Sequence, residues 1–317
     1  MSNNARKQSD RFPADSLLIL AALTFSAVYY YGVRAFAVIA AAALIVVFAG
    51  GIVSKISKRS FRETLLPDLV LGLIVGLMLP AQASFGLVLT ASLFAALICR
   101  AVFGGEHSEP APPAAAAYLF VFYAFGDGIL LVPPVFSELP VKSAVYPETL
   151  APTFFSDILN YGVTTAGIPD LLFGRLPFYS GGGCIILLII AAVFFVLRRD
   201  ISFLSLIITE AVFAVFALFV FGLGIKSTLF CAAALLFPVI FIIMPPARRF
   251  VSPDAKILYG IFAGAALSAF VLWSKSEAGG FFTAVLISPF AVYFSENEFS
   301  FSKLLPAKFR SLKLQKL

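Results

Sequence analysis

Residues 35–62 read AFAVIAAAALIVVFAGGIVSKISKRSFR, an unbroken apolar run that ends in a cluster of lysines and arginines. An α-helix needs about 20 apolar residues to cross the hydrocarbon core of a bilayer. Lysine and arginine collect in the loops on the cytoplasmic side of a membrane. The same succession of apolar run and basic gap recurs along the chain, so the pattern predicts an integral membrane protein.

The overall composition agrees with this interpretation. Apolar residues make up 61% of the 317 residues, charged residues only 13%, and the mean hydropathy is +0.99. The apolar runs are continuous, whereas the strands of a membrane barrel alternate apolar and polar residues, so we predict an all-α fold. The net charge of +6 lies in short gaps between apolar runs and does not indicate nucleic-acid binding. The three cysteines lie far apart, which indicates neither a disulfide framework nor a metal site.

We interpret ten apolar segments as transmembrane helices. Their bounds are 16–31, 35–53, 64–79, 84–103, 114–132, 182–198, 201–222, 227–244, 257–273 and 280–294. With the N-terminus placed in the cytoplasm, alternate gaps hold all but five of the 23 lysines and arginines. The exceptions are Arg34, Lys142, Arg175, Lys226 and Lys275. This asymmetry predicts a multi-pass protein of the cell membrane with both termini in the cytoplasm.

One long gap, 133–181, divides the chain into two halves. It is rich in proline and contains apolar residues such as Phe154 and Phe155, which favours a packed extracytoplasmic cap over a flexible linker. Five helices on each side of the gap would make the two halves inverted with respect to each other, as in many transporters. The predicted divisions are a cytoplasmic tail (1–15), a first membrane half (16–132), the cap (133–181), a second membrane half (182–294) and a basic cytoplasmic tail (295–317).

Five stretches carry a resemblance to a known family. They are DLVLGLIVGLMLP at 68–80, AVFGG at 101–105 with EPAPP at 109–113, LFGRLP at 172–177, RRDIS at 198–202, and MPPARRFVSP at 244–253 with KILYG at 256–260. In this order and spacing they resemble the RnfD/NqrB family. Its members are membrane subunits of the Rnf ferredoxin:NAD oxidoreductase and of the sodium-pumping NADH:quinone oxidoreductase. The chain looks like a divergent member of that family.

The resemblance implies a function. Members of the family pass electrons through flavins and help to couple the redox reaction to sodium or proton transport, within complexes of several membrane subunits. One FMN is attached by a phosphoester to a threonine of the external loop, and a riboflavin lies between helices. The implied cofactors are therefore FMN and riboflavin, and the implied partners are the other membrane subunits. The chain itself would be a non-autonomous subunit of an ion-translocating oxidoreductase.

The chain departs from the family where the FMN threonine is expected. Gly167 stands at that position and has no hydroxyl, so Thr164 or Thr165 would have to accept the phosphoester in a shifted register. A glycine run follows where the family carries Gly-Glu-Thr-Ser, and it would either let a flat ligand approach the backbone or act as a hinge. The candidate cofactor-binding residues are Thr164, Thr165, Gly181, Gly182 and Gly183.

Two carboxylates are candidates for an ion pathway. Glu210 lies in the middle of an apolar helix, where an ionisable side chain is costly and usually functional. Asp68 begins a predicted helix and would either take part in the pathway or complement the helix dipole. Asp127 is attributed to turn chemistry, Arg100 to anchoring at the membrane interface and His107 to a surface loop. A non-redox transporter or channel that has lost covalent FMN is the alternative function, and an assembly or structural component is a third.

Overall fold

The computed structural model describes residues 11–58, 60–102, 111–137, 139–141, 150–250 and 252–296. Within these residues the regular secondary structure is helical, except for one pair of two-residue strands. The predicted all-α class is therefore confirmed. His107 and Glu109 lie outside the described residues, as does most of both terminal tails.

The first helical element, α1 (Phe12–Ile56), consists of two arms joined at Gly32. Gly32 has φ 68° and ψ −160°, a conformation that glycine adopts without steric penalty. Both ends of α1 lie at the same end of the bundle, because its first residue and Pro67 line one cavity while Gly50 packs against the Asp68 carboxylate. The chain therefore reverses direction at Gly32, between the first two predicted segments.

The second helix, α2 (Phe61–Met78), packs tightly on α1. A Cβ added at Gly72 would lie 2.6 Å from the Cα of Ala43, and one added at Gly76 would lie 2.8 Å from the Cα of Ile39. The absence of side chains at these glycines lets the two backbones approach, which is the small-residue packing common between membrane helices.

The remaining helices of the first half are shorter. They are α3 (Phe85–Leu93), which continues as a π-helix over Phe94–Ala101, α4 (Pro113–Phe125) and the single turn α5 (Asp127–Leu130). Ser84 caps α3 by accepting the N–H of Leu87, which satisfies one of the free amide groups at a helix start.

The segment between the halves forms a small cap. It contains β1 (Leu131–Val132) and β2 (Ala151–Pro152), which pair antiparallel, and the helices α6 (Phe154–Tyr161) and α7 (Ile168–Leu172). The hydroxyl of Thr153 accepts the N–H of Ser156 at the start of α6. Phe155 and Ile158 are buried, so the cap packs on the bundle through α6.

The second half contains six α-helices within its described residues. They are α8 (Ile185–Arg198), α9 (Phe203–Phe219), α10 (Ile225–Ala234), α11 (Leu236–Pro238), α12 (Pro253–Ser274) and α13 (Ala278–Glu296). The helix α11 runs on as a π-helix, Val239–Ile243, and a 3₁₀ turn, Pro245–Arg249, follows. The axis bends by 43° between α10 and the segment Leu236–Ile243.

The helices fit a multi-pass membrane protein. In the described part of the chain, three helices are long and apolar enough to span a bilayer, namely α1, α12 and α13. The bent pair Ile225–Ala234 and Leu236–Ile243 is either a broken fourth span or a re-entrant loop. The apolar helices Phe85–Ala101, Pro113–Phe125, Ile185–Arg198 and Phe203–Phe219 are shorter. Membrane association through transmembrane helices is thus confirmed, whereas the count of ten spans stays a prediction.

Candidate functional site

A cavity of about 290 Å³ lies between the two halves of the chain. The cavity lies at the end of the bundle that carries Phe12, Arg100 and Arg248, which we call the basic end. We call the opposite end, which carries the cap, the loop end. The cavity wall comes from α1, α2 and α4 of the first half and from the π-helix Val239–Ile243 and α13 of the second. Its volume is close to the lower limit of roughly 300 Å³ for small-molecule pockets.

Most of the cavity wall is apolar, and two guanidinium groups provide its positive charge. Arg100 forms an ion pair with Asp68, with 2.8 Å between Nη1 and Oδ1. Arg248 lies over the ring of Phe12, 4.5 Å from the centroid, and both residues line the cavity. The cavity therefore suits a flat, largely apolar ligand that carries an electronegative edge.

Asp68, a predicted ion-pathway residue, is held in this region. Its side chain is buried at 3% exposure and lies between Arg100 and the backbone of Gly50. The ion pair compensates the charge of this buried carboxylate, next to a cavity whose wall includes Arg100.

Two further acidic residues, Asp15 and Asp200, lie near residues of the cavity wall. Asp15 accepts two hydrogen bonds from Arg198, at 3.1 Å from Nε and 2.8 Å from Nη2. The carboxyl of Asp200, in the turn between α8 and α9, is buried at 1% exposure. The pKa of Asp200 is raised from 3.8 to about 6, first by burial and then by the hydrogen bond and the negative charge of Asp15.

A third buried carboxylate lies at the loop end. Glu277, in the turn between α12 and α13, is 2% exposed and accepts a hydrogen bond of 2.9 Å from the hydroxyl of Thr153. Burial raises the pKa of Glu277 from 4.5 to about 7, and the Thr153 hydrogen bond acts in the opposite direction. This contact ties the cap to the second half of the chain.

The candidate threonines lie in the loop 162–167 of the cap. The Thr164 hydroxyl accepts the N–H of Ala166 at 3.2 Å, and the side chain of Thr165 is exposed. Lys226 Nζ donates to the Thr164 carbonyl at 3.4 Å, and the Ser227 hydroxyl donates to the Gly162 carbonyl at 3.1 Å. The loop is therefore fixed next to the N-terminus of α10, where backbone amides and a lysine favour an anion.

Gly167 caps α7 with extended backbone. Its N–H donates to the carboxylate of Asp170 at 3.1 Å, and its φ of −80° does not require glycine. The exposed side chains of Tyr161, Val163 and Ile168 surround the same loop and give it an apolar surface.

The glycine run 181–183 directly precedes α8 and packs against the C-terminal end of α2. A Cβ at Gly181 would lie 2.8 Å from the ring of Phe237, and a Cβ at Gly182 would overlap the rings of Phe178 and Tyr179. Gly181 also donates its N–H to the carbonyl of Leu77 at 2.7 Å. The close approach at these two glycines is thus to the protein itself, whereas no described residue lies within 4 Å of a Cβ at Gly183.

Glu210, the other ion-pathway candidate, lies on α9 away from the cavity. Both of its carboxylate oxygens are buried and make no hydrogen bond among the described residues. The helix α9 packs mainly on α12, through contacts such as the hydrogen bond from Thr209 to the Gly260 carbonyl at 3.1 Å. The two predicted pathway residues, Glu210 and Asp68, therefore belong to helices with different packing partners.

Sequence reasoning did not single out Asp15, Asp200, Arg248 or Glu277. Asp200 follows two arginines and Glu277 follows Lys275 by two residues, so each resembles a residue of a solvated turn. The sequence feature that could have identified Asp200 and Glu277 is their position, since each follows the end of an apolar helix within three residues.

Comparison with curated proteins finds no match. Comparison with family models finds one match, the NQR2, RnfD, RnfE family, over residues 3–296. The match includes both halves, the cap, the cavity and all the candidate residues. The chain therefore belongs to the NQR2, RnfD, RnfE family of membrane subunits of Rnf- and Nqr-type complexes.

Proposed function

We propose that this chain is the membrane subunit of an Rnf- or Nqr-like complex that transfers electrons through flavins and couples the transfer to sodium or proton translocation. The observation that carries the proposal is the cavity between the two halves, whose wall is apolar and contains Arg100 and Arg248. In this arrangement ten transmembrane helices form two inverted halves, with both termini in the cytoplasm and the cap outside.

The cavity suits a non-covalently bound flavin. The isoalloxazine ring is flat and apolar on its faces, and its pyrimidine edge carries carbonyl oxygens that accept hydrogen bonds from a guanidinium group. Arg100, which pairs with Asp68, and Arg248, which lies over the ring of Phe12, both present guanidinium groups at the cavity wall. A flavin bound here would supply the electron transfer, while the protein orients it and adjusts its electronics through these charges.

The loop 162–167 suits a second flavin, attached through phosphate. Thr165 offers an exposed hydroxyl, and Lys226 with the N-terminus of α10 offers positive charge to a phosphate. The exposed apolar side chains of Tyr161 and Val163 would cover one face of the ring. We assign the phosphoester to Thr165 rather than to Thr164, because the Thr164 hydroxyl already bonds the N–H of Ala166.

Covalent attachment is tested by in-gel flavin fluorescence of the full chain, expressed together with a flavin transferase. We expect a fluorescent band that Thr165→Ala removes and that Thr164→Ala retains. Thr90→Ala is the matched control, because Thr90 is a threonine outside the cap whose hydroxyl bonds the Gly86 carbonyl. A band that persists in both loop variants would rule out the loop as the attachment site.

The cavity is tested by acid extraction of flavin from the purified protein. Ala291, buried on α13, lines the cavity, so Ala291→Phe would fill it and should reduce the non-covalent flavin at least tenfold. Ala211→Phe, on the exposed face of α9, is the control and should leave the flavin content unchanged. Equal flavin content in both variants would show that flavin binds elsewhere.

The alternative function is a non-redox transporter on the same scaffold. It is favoured by Gly167, which has no hydroxyl at the expected acceptor position, and by the buried carboxylate of Glu210, whose oxygens have no hydrogen-bond partner in the described part of the chain. Absence of both covalent and extractable flavin from the complete complex would select this alternative.

Ion coupling is assigned to Glu210, since its buried oxygens are available to bind a proton or a cation. In proteoliposomes that contain the complete complex, Glu210→Gln should abolish ion transport while electron transfer continues. Glu63→Gln, at an exposed position of α2, should leave both activities unchanged. Full ion transport by Glu210→Gln would remove Glu210 from the pathway.

A further inference from the structure

A turn at the loop end holds a phenylalanine in a backbone conformation that favours glycine. The turn Pro134–Ser137 is closed by a hydrogen bond of 3.3 Å from the Ser137 N–H to the Pro134 carbonyl. Phe136, at the third position of this turn, has φ 62°, and glycine is the usual residue where a turn needs a positive φ there. A bulky residue in this conformation is rare and strained, so it marks a position where the ring itself has a use.

The ring of Phe136 contacts two tyrosines of α1. Its centroid lies 5.7 Å from that of Tyr29 and 5.5 Å from that of Tyr30, and the Phe136 N–H donates to the Tyr30 carbonyl at 2.9 Å. These contacts fix the ring beside Gly32, where α1 reverses direction. Phe136 is nevertheless 58% exposed, and Tyr29 is exposed as well. The three rings therefore form an aromatic surface of the protein and not part of its core.

A second aromatic surface lies at the same end of the bundle. Trp273 and Tyr123 contact the ring of Phe282 edge to face, with their centroids 5.2 Å and 6.0 Å from it. Trp273 is 62% exposed, and Tyr123 is also exposed. They lie in the last turns of α12 and α4. These turns belong to the loop end, since Pro113 at the start of α4 lines the cavity and Glu277, just after α12, bonds the cap.

Exposed tyrosine and tryptophan rings at helix ends are typical of the interface between a bilayer and water. The ring is apolar, whereas the hydroxyl or the indole N–H is polar, so these side chains are most stable at the level of the lipid headgroups. Each surface combines such residues with a phenylalanine. The helices that carry them include α1 and α12, which are long and apolar enough to span a bilayer, so lipid surrounds both surfaces.

We propose that the two surfaces form an aromatic belt in the headgroup layer of the membrane at the loop end, and that Phe136 seats the cap in this layer. The partner of both surfaces is then phospholipid. The cap is held in two ways, to the bundle through the hydrogen bond from Thr153 to Glu277 and to the membrane through Phe136. The belt does not depend on a bound flavin.

Trp273 makes the belt measurable, because it is the only tryptophan of the chain. The full chain is reconstituted without flavin in phosphatidylcholine vesicles in which part of the lipid carries a nitroxide quencher, either on the headgroup or near the end of the acyl chain. We expect a larger loss of tryptophan fluorescence with the headgroup probe. A larger loss with the acyl-chain probe, or quenching only by iodide in the water, would overturn the belt.

The seat of the cap is tested by moving the single tryptophan. In a Trp273→Phe background, Phe136→Trp should lose more fluorescence with the headgroup probe than with the acyl-chain probe. Leu44→Trp is the matched control, because Leu44 is an exposed residue in the middle of the second arm of α1 and should show the opposite order.

Tyr29→Trp reports the same surface should Phe136→Trp fail to fold, since the rings of Tyr29 and Phe136 are in contact. The headgroup probe should again cause the larger loss of fluorescence. Quenching of the introduced tryptophan by iodide alone would show that the cap stands clear of the lipid, and it would overturn the proposed seat.

Discussion

At the scale of single residues, Glu277 and Thr153 make a pH-dependent contact. The folded protein holds the Glu277 proton more tightly than the unfolded chain does, because burial raises the pKa of Glu277 from 4.5 to about 7. Protonation therefore contributes stability that is fully present below pH 4.5 and is lost as the pH rises through about 7. Above that pH the buried carboxylate depends on the hydrogen bond from Thr153.

We expect Thr153→Ala to lower the thermal unfolding temperature more at pH 8 than at pH 5. Loss of the helix cap costs about 1 kcal/mol at either pH, and loss of the hydrogen bond to the ionised Glu277 adds about 1.5–3 kcal/mol at pH 8. Thr153→Ser keeps the hydroxyl and is the control. An equal loss of stability at the two pH values would show that Glu277 is not ionised at pH 8.

The ion pair of Asp68 and Arg100 is a second prediction at this scale. Arg100→Gln removes the ion pair between Arg100 and the buried Asp68, and a broken buried pair typically costs about 3–5 kcal/mol. Asp68→Asn in the same chain should restore part of the stability, because the buried charge is removed. Chemical unfolding of the two single variants and the double variant measures this coupling, and strictly additive effects would contradict it.

At the scale of elements, the packing of α2 on α1 depends on glycine. The Cβ of Gly72→Ala would lie 2.6 Å from the Cα of Ala43, so the helices must separate, at a cost of about 1–3 kcal/mol. Gly86→Ala is the matched control, since no described residue lies within 4 Å of its Cβ and alanine suits a helix better than glycine by about 0.5–1 kcal/mol. The thermal unfolding temperature should therefore fall in Gly72→Ala and rise slightly in Gly86→Ala. A higher unfolding temperature in Gly72→Ala would disprove the close approach of the two helices.

The elements also show what could be predicted from the sequence. Long apolar runs gave helices close to the expected bounds, as in the predicted segment 64–79 and the observed Phe61–Met78. The predicted segment 114–132 was wrong at its end, because the helix stops at Phe125, where Gly126 takes a φ of 42°. The prediction relied on hydropathy alone and therefore continued past Gly126, although glycine commonly terminates helices.

The buried carboxyl groups were beyond prediction for a different reason. Local sequence gives the charge of Asp200 and Glu277, but their burial depends on the packing of segments far apart in the chain, as in the hydrogen bond from Thr153 to Glu277. The candidate loop was found through its hydroxyl residues, yet the lysine beside it, Lys226, belongs to α10. Residue type is thus readable from sequence, whereas the pairing of distant residues is not.

At the scale of the whole molecule, the two ends of the helical bundle differ in charge and in covering structure. The cationic side chains of Arg100, Arg198 and Arg248 lie at the basic end, and the cap covers the loop end. The positive-inside rule then predicts the basic end in the cytoplasm. The cysteines Cys99, Cys184 and Cys231 are all buried, so single exposed cysteines introduced at either end can report the orientation.

Asn160, on the cap, and Ser57, after α1, are exposed positions at opposite ends. In intact cells a membrane-impermeant maleimide should label Asn160→Cys within minutes and label Ser57→Cys only after the membrane is opened. The reason is that α1 returns its C-terminus to the basic end through the reversal at Gly32, while the cap connects the two halves on the other side. The chain without an added cysteine serves as the background control, since buried thiols react slowly. Labelling of both positions from the same side would disprove the orientation and, with it, the inverted arrangement of the two halves.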